Sequence, residues 1–180
     1  LHASGVGAEL LTDAIPISRA ARLTARESHG TRTALDAALT DGEDFGISEP
    51  TLSEYFLGAR HFVRNLGELD PKRGILLDMV GDKTLELGRE HYSYGADPSL
   101  VERIWKKAAD LGYEDVFGNT TYAVSDDHLP LIEAGIPTVD LIDWRPQVTR
   151  NYWHTTFDTP DKCSPDSLRA VGDVVLALLR

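Results

Sequence analysis

The chain has 180 residues, 29 acidic against 18 basic, and a formal net charge of −11. That length fits one ordinary domain with a sizeable buried core, and the acidity, with no basic run, argues against a nucleic-acid partner and for a small or peptide ligand. A single cysteine, Cys163, excludes an internal disulfide and a cysteine-rich zinc knuckle, so a metal would have to be held by His, Asp and Glu.

No apolar run approaches the roughly 20 residues needed to cross a bilayer, and no basic-then-apolar leader opens the sequence. The expectation is a soluble chain without a membrane span. It starts at Leu1 and its only methionine is Met79, so further residues are expected upstream.

In chain order, Thr31 to Thr40 should be a strand, although Arg32, Asp36 and several small residues make it a poor central parallel one. It feeds Thr-Asp-Gly-Glu-Asp-Phe-Gly at 40 to 46, where Gly42 and Gly46 bracket Glu43 and Asp44 and permit a tight turn. Adjacent carboxylates can divide labour, one binding a metal while the other moves a proton. A solvated loop is the simpler alternative in so acidic a chain.

Leu52, Tyr55, Ala59, Phe62, Val63 and Leu66 fall at helical spacing and predict a helix over about 51–66. Ile75 to Val80 is a short apolar run closed by Gly81, the pattern of a buried strand, and it contains Asp78. Asp97-Pro98 opens a helix whose inner face is Val101, Ile104, Trp105, Ala108 and Leu111, with Gly112 ending it. Ser125-Asp126-Asp127-His128 opens a shorter helix that ends at Gly135. Ile136 to Ile142 is a second apolar strand, and the loop after it carries Trp153 and His154. Ser164-Pro165-Asp166 starts the last helix, with a face of Leu168, Val171, Val175, Leu178 and Leu179.

This alternation predicts one α/β domain over 1–180, a three-layer α/β/α arrangement with a mixed, mostly parallel sheet. Ligands gather at the carboxyl ends of such strands, so the Glu43 loop, Asp78 and the His154 loop can converge on one edge. Several residues carry two readings. Asp126 and Asp127 can hold a substrate amine or cap a helix, and Trp153 can be a substrate platform or pack beside His154. Asp158 can orient His154 or form the turn before Pro160. Arg60 and His61 suit a salt bridge or a solvated face, and Tyr55, Phe56 and Phe62 suit a core.

Five segments in order carry a resemblance: Asp-Gly-Glu-Asp at 41 to 44, Leu-Gly-Ala-Arg-His at 57 to 61, Leu-Leu-Asp-Met-Val-Gly-Asp at 76 to 82, Asp-Asp-His-Leu-Pro through Ala-Gly-Ile-Pro at 126 to 137, and Trp-His-Thr-Thr-Phe-Asp-Thr-Pro-Asp-Lys at 153 to 162. Together they resemble the zinc aminopeptidase and glutaminyl cyclase superfamily, and Ala3-Ser4-Gly5-Val6 looks like the tail of a further family segment. The resemblance implies an aminopeptidase-like fold lacking its first strands and one or two zinc ions. It makes Glu43 the general base, Asp44 and His154 zinc ligands, and Asp78 a ligand of a second zinc or a hydrogen-bonding acid. Asp127 and Trp153 are the candidate substrate contacts beside them. Asp44 stands where a longer Glu is usual, and Leu1 where the family has a bridging Asp. The family's first metal-binding His has no counterpart, and His2 is a weak substitute.

The leading expectation is a zinc-dependent exopeptidase that hydrolyses the N-terminal bonds of peptides. The alternative is a glutaminyl-peptide cyclotransferase that forms N-terminal pyroglutamate, and a third reading is an inactive, truncated relative that binds peptides. Two zinc ions would favour the peptidase and one the cyclase. The resemblance also implies an extracytoplasmic, secreted or periplasmic, location.

Overall fold

The computed structural model describes residues 8–10, 18–24, 34–44, 55–145 and 152–179, with side chains from residue 37 onward. Three strands, β1 (Ala8–Leu10), β2 (Ser18–Thr24) and β3 (Ala34–Thr40), form an antiparallel sheet. The sequence reading predicted only β3, because β1 and β2 lack the apolar runs that mark a strand. Leu1, His2, the Ala3 to Val6 segment, Gly46 and Leu52 lie outside the described residues.

The rest is α/β. Parallel β4 (Gly74–Asp78) and β7 (Thr138–Ile142) pair in register, with Asp78 opposite Ile142. Parallel β5 (Leu87–Glu90) and β6 (Phe117–Tyr122) form a second pair, and β5 lies against β7. The Tyr122 hydroxyl joins the two pairs, donating to the Ile142 carbonyl and accepting from the Gly88 amide. Among the described residues both parallel and antiparallel pairing occur: β4–β7 and β5–β6 are parallel pairs, and β1–β3 form a separate antiparallel sheet.

The helices are α1 (Leu57–Arg64), α2 (His91–Ala96), α3 (Pro98–Asp110), α4 (His128–Glu133) and α5 (Pro165–Leu178). The caps of α3 and α5 match the sequence signals: the Asp97 carboxylate accepts from the Leu100 amide, and the Ser164 hydroxyl accepts from the Asp166 amide. One core cluster joins α3 (Leu100, Val101, Ile104, Trp105, Ala108), the strands (Leu87, Phe117, Val139, Leu141) and α5 (Val171, Val174). All five residues of β7 are buried.

Three expectations about packing need correction. Leu111 is exposed because α3 ends at Asp110, leaving Leu111 in the C-cap turn. Leu168 is exposed because the buried stripe of α5 runs through Ser167, Ala170, Val171 and Val174, which places Leu168 on its flank. The strand containing Asp78 stops there, since Met79 turns to φ 50° and leaves the sheet. Among the described residues, no helix is long and apolar enough to cross a membrane.

Candidate active site

The loop carrying Glu43 and Asp44 follows β3, turns at Gly42 with φ 69°, and is anchored by the start of α1. Amides at a helix start have no partner within the helix. Here Gly58 N donates to Asp41 O at 2.9 Å, Leu57 N to Gly42 O at 3.2 Å, and Phe56 N to Glu43 O at 2.7 Å. Gly58 allows this approach, because a Cβ there would lie 2.5 Å from the Asp41 nitrogen and 2.6 Å from its oxygen. Glycine is therefore required by the backbone of a neighbouring loop, not by its own φ.

Glu43 is half-buried and faces other acids. Burial, then the charges of Asp127, Asp44 and Asp78, push its carboxyl up to about 7. Asp78, at the carboxyl end of β4, accepts from the Met79 amide at 2.9 Å and lies beside Asp126. Burial raises the Asp78 carboxyl against the Met79 bond. Burial and the Asp78 charge raise Asp126 to about 8, so this carboxyl pair retains a proton near neutrality. Asp127 is also raised, first by burial, while its Oδ2 accepts from the Thr40 hydroxyl. That bond ties the end of β3, and with it the Glu43 loop, to the start of α4.

His154 enters from the other side. Its backbone sits at φ 56°, where non-glycine residues are uncommon, and its Nε2 lies 3.2 Å from Asp44 Oδ2. Trp153 stacks on the imidazole at 3.9 Å with 25° between planes, and Trp144 meets Trp153 edge-on at 5.4 Å. The His154 loop is held to the turn after β4 by the Tyr152 hydroxyl, which donates to Asp82, and α5 is held to the same turn by the Ser167 hydroxyl, which donates to the Asp82 carbonyl at 2.7 Å.

The Asp44–His154 pair fits a zinc ion as a partial ligand set. Two ligands on one tetrahedral zinc at ordinary bond lengths stand about 3.3 Å apart, and carboxylate oxygen with imidazole nitrogen is a donor set that zinc accepts. Asp44 achieves this reach despite being one methylene shorter than Glu. Among the described residues, no group of three His, Cys, Asp or Glu side chains is arranged to hold a metal.

Glu43 and Asp44, Asp78, Asp126 and Asp127, and Trp153 and His154, from four separate segments, therefore lie in one region. Asp127, expected to contact substrate, is buried at 4 % exposure and makes no capping bond to α4. Asp158 closes a turn, its amide donating to Thr155 O, and Arg60 pairs with Glu133 at 3.8 Å. Reading the sequence missed Thr40, Asp82, Glu90 and Asp140. An acid inside the apolar Ile136 to Ile142 run was a visible signal for Asp140; Glu90 had none.

The sequence profile of peptidase family M28 matches residues 14–179. Among solved structures, the chain is similar to the glutaminyl cyclase of Porphyromonas gingivalis, at 31% identity and TM-score 0.77, over 86% of this chain and 57% of that one. It is also similar to a Zn-dependent exopeptidase from Parabacteroides distasonis, at 32% identity, TM-score 0.73, over 81% and 54%. A leucine aminopeptidase precursor from Bacteroides thetaiotaomicron matches at 30% identity, TM-score 0.72, over 81% and 52%. The chain thus spans just over half the length of each. No curated protein matches.

Proposed function

Because the chain belongs to peptidase family M28, we propose that its site is the catalytic half of a zinc-dependent enzyme acting on peptide N-termini, and that the reaction is cyclisation of N-terminal glutamine to pyroglutamate. The observation that carries this choice is the engagement of Asp78. Its carboxyl accepts from the Met79 amide and faces Asp126, and in this reading it is a proton-sharing acid beside Glu43, with Asp44 and His154, 3.2 Å apart, as the donor pair for a single ion. One ion favours cyclisation over a two-ion peptidase.

When bound, zinc would polarise the side-chain carbonyl of the substrate glutamine. The remaining steps belong to the protein's own residues. Glu43 takes a proton from the substrate's α-amine as the amine nitrogen attacks the side-chain amide carbon, and returns it to the nitrogen that departs as ammonia. A carboxyl near 7 suits both directions of transfer, and a nearby cation would draw that value down and favour the base form. Asp78 and Asp126, sharing a proton, keep a second full negative charge away from Glu43. The Trp153 face, stacked on His154, offers an apolar wall to the substrate.

Hydrolysis of the N-terminal bond is the second reading, favoured by the similarity to a Zn-dependent exopeptidase and a leucine aminopeptidase precursor. The two separate in one assay of the zinc-loaded chain, with ammonia and free amino acid measured from peptides that begin with Gln or Leu. Ammonia from the Gln peptide alone, lost in Glu43→Gln, supports cyclisation. Free leucine from the Leu peptide supports hydrolysis and sinks the first reading.

A further inference from the structure

Behind the acid pair lies a second group of charged side chains that the proposed chemistry does not use. His128, the first residue of α4, has no solvent exposure. Its Nε2 is 3.3 Å from Glu90 Oε2 and its Nδ1 is 3.5 Å from Asp140 Oδ2. Glu90 and Asp140 are equally buried, at 1 % and 0 % exposure. The Tyr92 ring packs against the imidazole, with centroids 6.4 Å apart. Six buried side-chain polar atoms among the described residues lack a hydrogen-bond partner, and all belong to Asp126, Asp127, His128 and Asp140.

Glu90 is an anion fixed by its own donors. Burial would raise its carboxyl, but His128, the Ser93 and Tyr92 amides and the Ser93 hydroxyl hold it at about 2. An anion at Nε2 requires a proton on that nitrogen. Nδ1 then faces Asp140, and the link needs one more proton, on the ring or on the carboxyl. Without it two lone pairs would oppose each other in a dry interior, which is costly. Burial and the charges of Asp126, Asp78, Glu90 and Asp127 all raise Asp140, in keeping with a proton retained in this link.

We propose that Glu90, His128 and Asp140 form a buried clamp holding one proton between His128 and Asp140, and that His128 is a positioning residue that fixes the Asp126–Asp127 turn of the site. The connections run through the backbone. Glu90 ends β5, accepts from the Val124 amide at 3.4 Å on the approach to the turn, and holds Ser93, whose hydroxyl accepts from the Asp140 amide at 2.9 Å. The turn is otherwise held locally, by the Asp127 amide to Asp126 Oδ1 at 2.5 Å and the Leu129 amide to Asp126 O at 3.0 Å, and to β3 by the Thr40 hydroxyl on Asp127 Oδ2. His128 carries the contacts from this turn to Glu90 of β5 and Asp140 of β7, and so sets its register against those strands. The clamp acts on the same acid pair whichever reaction the site performs.

Two measurements on the whole chain test this. The first is nitrogen NMR of the wild-type protein labelled at histidine. The clamp predicts that neither His128 ring nitrogen gives the signal of a free lone pair in the folded protein. A free, unprotonated Nδ1 signal overturns the shared proton. The second compares amide exchange in His128→Gln and in His128→Gln/Asp140→Asn. The single variant leaves Asp140 buried without its partner, so protection at Asp127 and Leu129 should fall at least about tenfold more than in α5, and the double variant should recover part of it. Uniform loss across the chain, or no loss at the turn, overturns the positioning role. If both variants fail to fold, the wild-type spectrum still decides whether the proton is there.

Discussion

His154 Nε2 and Asp44 Oδ2 meet at 3.2 Å across two loops that leave different strands. Neither loop reaches that position unaided. The Asp44 side is fixed by α1 amides on the backbone of Asp41, Gly42 and Glu43, and the His154 side by Tyr152 on Asp82. If the pair shares a zinc ion, replacing either side chain with alanine removes a direct ligand. We expect zinc affinity to fall at least about 100-fold in Asp44→Ala and His154→Ala, judged against the 10- to 100-fold typical of losing a partner one step further out. Competition with a chelator measures this, and unchanged affinity in both variants would reject the pair as ligands.

Glu43 should separate from these two. Its proposed role is proton transfer, so Glu43→Gln should keep zinc while kcat falls about 10²- to 10⁴-fold. A variant that loses metal and activity together would place Glu43 among the ligands instead.

The crowded carboxyls also make a prediction about pH. Glu43, at about 7, and Asp126, at about 8, are raised above their ordinary values, as are Asp78, Asp127 and Asp140. A carboxyl with a raised folded-state value binds its proton more tightly in the folded chain. Its contribution to stability is therefore complete below the unfolded value and is lost as pH rises through the folded one. Metal-free protein should lose thermal stability between about pH 4 and pH 8. Asp126→Asn should flatten that slope. A Tm that rises steadily across this interval would contradict the charge distribution.

Gly58 tests the anchoring of the site. A Cβ there would meet the Asp41 backbone at 2.5 Å, and backbone on both sides leaves little room to adjust. Gly58→Ala should cost about 1–3 kcal/mol and lower activity more than a surface substitution of equal cost, because the displaced segment carries Glu43. Denaturant unfolding alongside kinetics checks both halves.

Much of the site was legible because its residues sit where local rules are strong. Asp78 stood out as an acid in an apolar run, His154 followed a buried strand, and Asp97-Pro98 and Ser164-Pro165 announced their helices. What was hidden depended on contacts between distant segments. Thr40 matters because it reaches Asp127, and Glu90 because it meets His128; neither has a local pattern. Strands β5 and β6 were missed as well, since Leu-Gly-Arg-Glu and Phe-Gly-Asn-Thr-Thr-Tyr show no clear period of two and are held by pairing with each other. The end of β4 was misplaced by two residues because Met79 is apolar but turns to positive φ.

The most direct test is the product formed from a peptide with N-terminal glutamine by the zinc-loaded chain in water enriched in heavy oxygen. Cyclisation gives a peptide lighter by one ammonia with no heavy oxygen incorporated, and this product is lost in Glu43→Gln. Release of free glutamine carrying heavy oxygen, or an unchanged peptide, would contradict it.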